Sequence, residues 1–279
     1  MSTTLSMLDA VVLGVVEGLT EFLPVSSTGH LTIAEKLLGL TVDDPSVTGY
    51  TAVIQLPAIL ATFLYFRRDF ARMISYGLGG LVSAERRRHP DFRFAWYVVA
   101  GAMPIILVAL VAKDLIEGPL RSLWVVAVAL IVWSGVMYVA EGRSRQRIDQ
   151  DGLTLRHVLV IGLMQCVALV PGVSRSGATI SAGLLQDINR VTATRLSFFL
   201  AVPVLTGAGL YGLTEVDTAV LPVGPMIVGC VVSFVVAYAS IAWLLKFVAG
   251  NSLNAFVGYR VALGVVLLGL LSTSVITAT

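Results

Sequence analysis

Charge is what this sequence is short of. Of 279 residues only 13% are Asp, Glu, Lys or Arg, against about 25% in an ordinary soluble domain. The hydrophobic set reaches 57%, more than a soluble core requires. A net charge of only +2 implies no basic surface for nucleic acid. The two cysteines, Cys166 and Cys230, lie far apart in apolar runs with no His or Cys at ligand spacing, so they read as packing residues. Residues 1–10 hold no basic stretch and no small-residue cleavage site, and no removed signal peptide is expected.

What is abundant is apolar sequence in long windows. Residues 50–66, 94–112, 123–140, 196–213, 221–245 and 256–276 are each long enough, as helices, to cross a hydrocarbon core of about 30 Å. The bilayer is therefore the solvent. The few charges are sorted: Arg67, Arg68, Arg72, Arg86, Arg87, Arg88 and Arg93 crowd one connection, and Arg143, Arg145, Arg147 and Arg156 crowd another. The positive-inside rule puts both in the cytoplasm. The connections around Asp43 and Asp44 and around Glu215 and Asp217 hold no Lys or Arg and are expected outside.

Orientation and span count agree only if two further apolar stretches, 5–40 and 155–186, enter the membrane and return. Each reads as helix, polar break, helix, with breaks at 23–29 and 170–177. Irregular backbone at membrane depth is tolerated where protein buries it or where it lines a polar cavity. An offset of 148 pairs Gly14 with Gly162, Glu17 with Gln165, Ser26 with Ser174 and Gly29 with Gly177, and an offset of 146 pairs Pro57 with Pro203 and Tyr65 with Tyr211. The expected fold is thus a single all-α membrane domain, 1–279, of two inverted-topology repeats, 1–140 and 155–279. It has six transmembrane helices and two re-entrant helical hairpins that meet near the midplane. On this path fourteen of the 19 Lys and Arg are cytoplasmic, Lys36, Lys113 and Arg121 are outside, and Arg175 and Arg260 lie at membrane depth.

Both breaks carry chemistry. In Glu17-Gly-Leu-Thr-Glu21 two carboxylates stand at i and i+4 on one helix face, about 6 Å apart at Cβ. Acids in an apolar helix are costly unless protonated or paired with a cation or metal. Pro24-Val-Ser26-Ser27-Thr28-Gly29-His30 follows: proline ends one helix and Ser26 caps the next. Capping explains one hydroxyl but not three followed by an imidazole, and a helix N-terminus is an anion site. The second break, Pro171-Gly-Val-Ser174-Arg175-Ser176-Gly177-Ala-Thr179, adds hydroxyls, glycines that let backbone approach a ligand, and a fixed positive fork. In the empty state Arg175 is free to pair with Glu17 or Glu21. Gln165, where the repeat places Glu17, reads either as a lining group or as a packing amide. Arg260, after Tyr259, anchors the last span to internal carbonyls.

At these motifs the chain resembles the undecaprenyl-diphosphate phosphatases of the bacitracin-resistance family. The matching pieces are residues 17–30 and 171–179, with weaker matches at Val53-Ile-Gln55-Leu and Phe198-Phe-Leu-Ala-Val-Pro203. Pro57 departs from the glycine more usual in that family. The resemblance implies a multi-pass enzyme of the bacterial plasma membrane that removes the terminal phosphate of undecaprenyl diphosphate, recycles the carrier of cell-wall precursors and confers bacitracin resistance. It also implies a divalent cation and a site open to the outer face. Functional positions carry over to Glu17, Glu21, Ser27, His30, Ser174, Arg175 and Thr179.

Phosphoanhydride hydrolysis needs charge neutralisation and a positioned nucleophile. The assignment is Ser27 as nucleophile with His30 as base and then acid, Arg175 and the backbone of 174–176 as phosphate clamp, and Glu17 and Glu21 holding Mg²⁺ or Ca²⁺. Ser26, Thr28, Gln165, Ser174, Ser176 and Thr179 bind substrate. Attack by His30 or by a metal-bound water stays open, as does a lipid-phosphate flippase or proton-coupled exchanger built on the same residues. The expected partners are a polyprenyl diphosphate and membrane lipids; a homodimer is compatible with the sequence.

Overall fold

The structure is a computed structural model that describes residues 5–42, 44–112, 120, 122–215 and 223–277. Lys113, Arg121, Asp43 and Asp217, all placed outside by the charge pattern, lie beyond the described residues. Helices follow one another as α1 (Met7–Thr20), α2 (Ser27–Leu37), α3 (Pro45–Tyr65), α4 (Arg67–Val82), α5 (Ala84–Arg87), α6 (Pro90–Val111) and α7 (Leu123–Arg143). Then come α8 (Leu155–Gln165), a 3₁₀ turn (Cys166–Leu169), α9 (Arg175–Leu184), α10 (Arg190–Glu215), α11 (Val223–Gly250) and α12 (Asn254–Ser272). Among the described residues the β content is one isolated bridge, Ile148 to Ile188.

Six helices are long and apolar enough to cross a membrane: Val47–Tyr65, Pro90–Val111, Leu123–Arg143, Arg190–Thr214, Val223–Gly250 and Asn254–Ser272. Each overlaps one of the expected windows. Their outer faces are bare hydrocarbon: Leu107, Leu110 and Val111 on α6 and Val128 and Val132 on α7 are all exposed, a pattern stable only against lipid. The interior is aromatic and tight. Phe66, Phe70 and Phe94 gather round Phe199 and Phe66 also meets Phe198, a chain of tilted and edge contacts that joins α10 to α4 and α6.

Polar contacts fix which helix ends lie together. Asp69, in the first turn of α4, pairs with Arg72 at 2.9 Å and Arg195 at 3.4 Å, and Arg72 reaches Asp91 at 3.3 Å. Glu141 accepts from Arg190 Nε at 2.7 Å and from the Leu253 amide at 3.3 Å. The end of α3, the start of α6, the end of α7, the start of α10 and the start of α12 therefore share the arginine-rich end, as alternating spans must. At the other end, Lys36 donates to the Thr277 carbonyl at 2.9 Å.

Helices α1, α2, α8 and α9 are 14, 11, 11 and 10 residues long, about 15–21 Å at 1.5 Å per residue, too short to cross. α1 packs on α11, and α8 packs on α6. At both crossings glycine meets glycine: a Cβ on Gly14 would strike the Gly229 carbonyl, and one on Gly162 the Gly101 carbonyl. Gly14 and Gly162 are the pair related by the offset of 148.

Candidate active site

Each polar break ends in a serine that the chain bends into an unusual conformation. Ser26 has φ 78° and Ser174 φ 77°, a region that costs a non-glycine residue about 1 kcal/mol or more. Both serines cap the helix that follows. Ser26 Oγ accepts from the Gly29 amide at 3.4 Å, and Ser174 Oγ from the Gly177 amide at 3.1 Å. Gly172, at φ +98°, lies so close to α7 that a Cβ would sit 2.5 Å from the Val126 carbonyl, so only glycine fits there.

The two breaks are then laced together. Ser26 Oγ also accepts from the Gly172 amide at 3.1 Å, and Ser176 Oγ donates to the Leu23 carbonyl at 2.9 Å. Arg260, fully buried, reaches both: Nη1 donates to the Pro24 carbonyl at 3.2 Å and Nη2 to the Gly172 carbonyl at 2.8 Å, with Nε on Ser134 Oγ at 3.1 Å. Pro24 and Gly172 are themselves related by the offset of 148. The N-termini of α2 and α9, each with unpaired amides and a positive dipole end, thus meet in one place.

The reactive groups converge on Glu21, which lies just past the end of α1. Its Oε2 accepts from Ser27 Oγ at 2.7 Å and its Oε1 from Arg175 Nη2 at 3.0 Å. Arg175 and Glu21 side chains are 9% and 5% exposed. Arg175 Nη1 donates to the Ser197 carbonyl at 2.9 Å, and Thr179 Oγ1 lies 2.7 Å from Ser197 Oγ. The resting counter-ion for Arg175 is therefore Glu21. Ser174 and Ser176 hydroxyls are 3.0 Å apart.

One expected role lands elsewhere. His30 does not reach Ser27: its Nδ1 is 2.7 Å from the Ser26 carbonyl and its Nε2 2.6 Å from Tyr259 Oη, with the two rings stacked at 5.6 Å. The carbonyl can only accept, so Nδ1 carries a proton and Nε2 faces the phenol. The reason is helical geometry. His30 lies in the first turn of α2, where its short side chain folds back on the carbonyl that opens the helix. Glu21, on the preceding turn, is what faces the Ser27 hydroxyl. Thr28, next to Ser27 in the same turn, is exposed. Ser197 and Tyr259, absent from the sequence reading of the site, are both present at it.

Glu17 is buried with neither carboxylate oxygen paired, and Gln165, at the matching position, is buried with both amide atoms unpaired. Native interiors leave few such groups, so both point to something polar that completes the site. Among the described residues no cluster of three or more His, Cys, Asp and Glu could hold a metal, which disfavours an all-protein cage. A hard cation taking one or two carboxylates and completing its shell with substrate phosphate oxygens does fit Glu17, alone or with Glu21.

Two acids, a serine hydrogen-bonded to one of them, an arginine and two helix N-termini lie among helices long and apolar enough to span a membrane, a set of groups suited to a phosphate-bearing substrate. Residues 10–266 match the family described as bacitracin resistance protein BacA, and the chain belongs to that family. It is 55% identical over 270 residues to undecaprenyl-diphosphatase 1 of Streptomyces avermitilis, covering 96% of this chain and 98% of that one. It is 54% identical to undecaprenyl-diphosphatase 3 of Frankia casuarinae over 99% and 100% of the two chains, and 46% identical to the undecaprenyl-diphosphatase of Mycolicibacterium smegmatis over 98% and 100%. These relatives carry the name of a hydrolase, and the transport readings gain no support from them.

Proposed function

We propose that the protein hydrolyses undecaprenyl diphosphate to undecaprenyl phosphate and inorganic phosphate, with Ser27 as nucleophile. The observation that carries the assignment is the Ser27–Glu21–Arg175 chain, in which one carboxylate both accepts the serine proton and holds the arginine. Ser27 Oγ attacks the terminal phosphorus and passes its proton to Glu21. The bond from phosphorus to the bridging oxygen breaks, and the lipid phosphate leaves as an anion. As Glu21 is protonated its hold on Arg175 weakens, freeing the guanidinium for two phosphate oxygens at once. The proton on Glu21 then passes to the departing lipid phosphate. Water cleaves the phosphoserine by giving a proton to the restored Glu21 carboxylate, which returns it to Ser27 Oγ as inorganic phosphate leaves.

The amides opening α2 and α9 supply donors to the phosphate, Ser174 and Ser176 join them when their protons turn from Ser176 Oγ and the Leu23 carbonyl, and Thr179 and Ser197 hold Arg175 in register. Glu17, with Glu21, is the binding group for a Mg²⁺ or Ca²⁺ ion. When bound, the ion neutralises diphosphate charge and orients the oxygens. His30 acts through the Ser26 carbonyl and Tyr259 and is a positioning residue. The short helix pairs are re-entrant hairpins of two inverted repeats, a reading supported by the matched serine geometry and the matched glycine crossings. The arginine-rich end faces the cytoplasm of a bacterial cell, and the site opens to the outer face of its plasma membrane.

The test is phosphate release from undecaprenyl diphosphate by purified protein in detergent, where sidedness is absent, followed by acid quench. Release with a trapped phosphoserine at Ser27 is expected. An inactive but folded protein would overturn the hydrolase reading, and a trapped phosphohistidine at His30 would move the nucleophile.

A further inference from the structure

An apolar groove of about 530 Å³ runs along the outside of α7, lined by Trp124, Val125, Val128, Ala129, Val132, Trp133, Val167, Val170 and Val173 without a polar surface atom. Its α7 wall is a single stripe at i, i+1, i+4, i+5, i+8 and i+9, which at 1.5 Å per residue spans about 13 Å. Trp124 lies near the helix start and Trp133 at its middle. The opposite wall is the second break itself. Val173 immediately precedes Ser174 and Arg175, and Gly172, one residue earlier, is pressed against Val126 and Ala129. The groove therefore ends at Val173, next in sequence to the residues assigned to the phosphate clamp.

We infer that this groove holds the proximal isoprene units of the substrate, leading them from the buried phosphate site into the outer leaflet. The inference rests on the hydrolase reading and adds to it the path of the lipid tail. Three observations favour that occupant. The groove adjoins the clamp through Val173. It begins at the helix end opposite the arginine-rich one, the side on which the site is proposed to open. Its volume lies in the range of ligand sites, about 300–1,000 Å³, although Val128 and Val132 are 50% and 60% exposed and a smooth lipid-facing helix would not need the recess. Branched valines and two indole faces suit a methyl-branched chain.

Filling the groove should separate tail recognition from chemistry. Val128→Trp and Val132→Trp lie on the exposed rim, away from the clamp. Each CH₂ removed from apolar contact is worth about 0.8 kcal/mol, so displacing two or three should raise the KM for undecaprenyl diphosphate about tenfold or more. Hydrolysis of isopentenyl diphosphate, whose chain is too short to follow the groove, should change less than twofold. In parallel, wild-type protein is photolabelled with an undecaprenyl phosphate analogue carrying a diazirine on the second isoprene unit. Label should map to residues 124–133 and be displaced by unlabelled undecaprenyl phosphate but not by excess phosphatidylglycerol.

Equal changes on both substrates, no change on either, label elsewhere, or displacement by the phospholipid would overturn the groove assignment while leaving the hydrolase intact. Wild-type protein that hydrolyses neither diphosphate would instead overturn the hydrolase reading and the groove with it. If a tryptophan variant fails to fold, the photolabel on wild-type protein still decides.

Discussion

The two polar breaks share a backbone and divide the chemistry. Both bend at a serine with φ near 78°, cap the next helix with that serine and sit beside a glycine crossing. Yet the first holds Glu17, Glu21 and Ser27, and the second holds Gln165, Arg175 and Ser176. A symmetric pair of acidic breaks would set four carboxylates in one dry space, an uncompensated charge no membrane interior tolerates. A pair of basic ones would offer hydroxyls but no carboxylate to act as base or to balance the arginines. Divergence at matched positions lets one half neutralise the other, and Glu21 to Arg175 at 3.0 Å is where they meet.

The comparison is broken most severely on its nucleophilic side. Ser27→Ala should lower kcat by at least about a thousandfold, as loss of a serine nucleophile does elsewhere, while product binding persists by equilibrium dialysis. Normal turnover in that variant would leave the first break without its assigned role. On the electrophilic side, Arg175→Lys keeps the charge but loses the planar fork. A kcat reduced at least about a hundredfold, roughly 2.7 kcal/mol, is expected with melting close to wild type. Near-normal kcat would make Arg175 a counter-ion to Glu21 and nothing more.

The acids themselves should respond in opposite ways. Glu21→Gln removes the charge that balances buried Arg175 and should destabilise the protein by about 3 kcal/mol, the range for breaking a buried pair, with activity largely lost. Glu17→Gln removes a carboxylate that has no partner, so stability should hold or rise while the rate gain from added Mg²⁺ or Ca²⁺ shrinks. Both are read from thermal melts and a cation titration. An unchanged cation response in Glu17→Gln would remove the metal from that residue.

Much of this was legible before any coordinates. Each of the six apolar windows became a span, because length and hydropathy leave a lipid-exposed segment no alternative to helix. Glu17, Glu21, Ser27 and Arg175 stood out as polar residues in apolar surroundings, and the pairing of Arg175 with an acid followed from charge alone. What sequence could not convey was side-chain direction. His30 and Ser27 are three residues apart, but the first turn of α2 aims the imidazole at Ser26 and Tyr259 and leaves the hydroxyl to Glu21. Ser197 sits in an ordinary apolar run, and its one faint signal is the offset of 146 that pairs it with Thr51. Arg260 was expected to bind carbonyls, but that these include the two matched carbonyls of Pro24 and Gly172 needed the fold.

The smallest effect gives the finest test of the comparison, because the two capping serines are equivalent in conformation but not in partners. Replacing either by alanine removes a helix cap, worth about 1 kcal/mol, and keeps a Cβ at positive φ, so these losses should cancel between the two variants. The remainder differs. Ser26→Ala also strands the buried Gly172 amide, which has the Ser26 hydroxyl as its acceptor at 3.1 Å. Ser174→Ala instead frees a Ser176 hydroxyl that keeps the Leu23 carbonyl at 2.9 Å. An unsatisfied buried amide costs about 1–3 kcal/mol, so Ser26→Ala should be the less stable of the two by at least about 1 kcal/mol in denaturant titrations. Glycine at position 26 would relieve the backbone but not the amide and should recover only part of the loss. Equal stabilities for the two alanine variants would mean that Ser26 does not lace the breaks together, and that Arg260 and Ser176 alone hold Ser27 against Arg175.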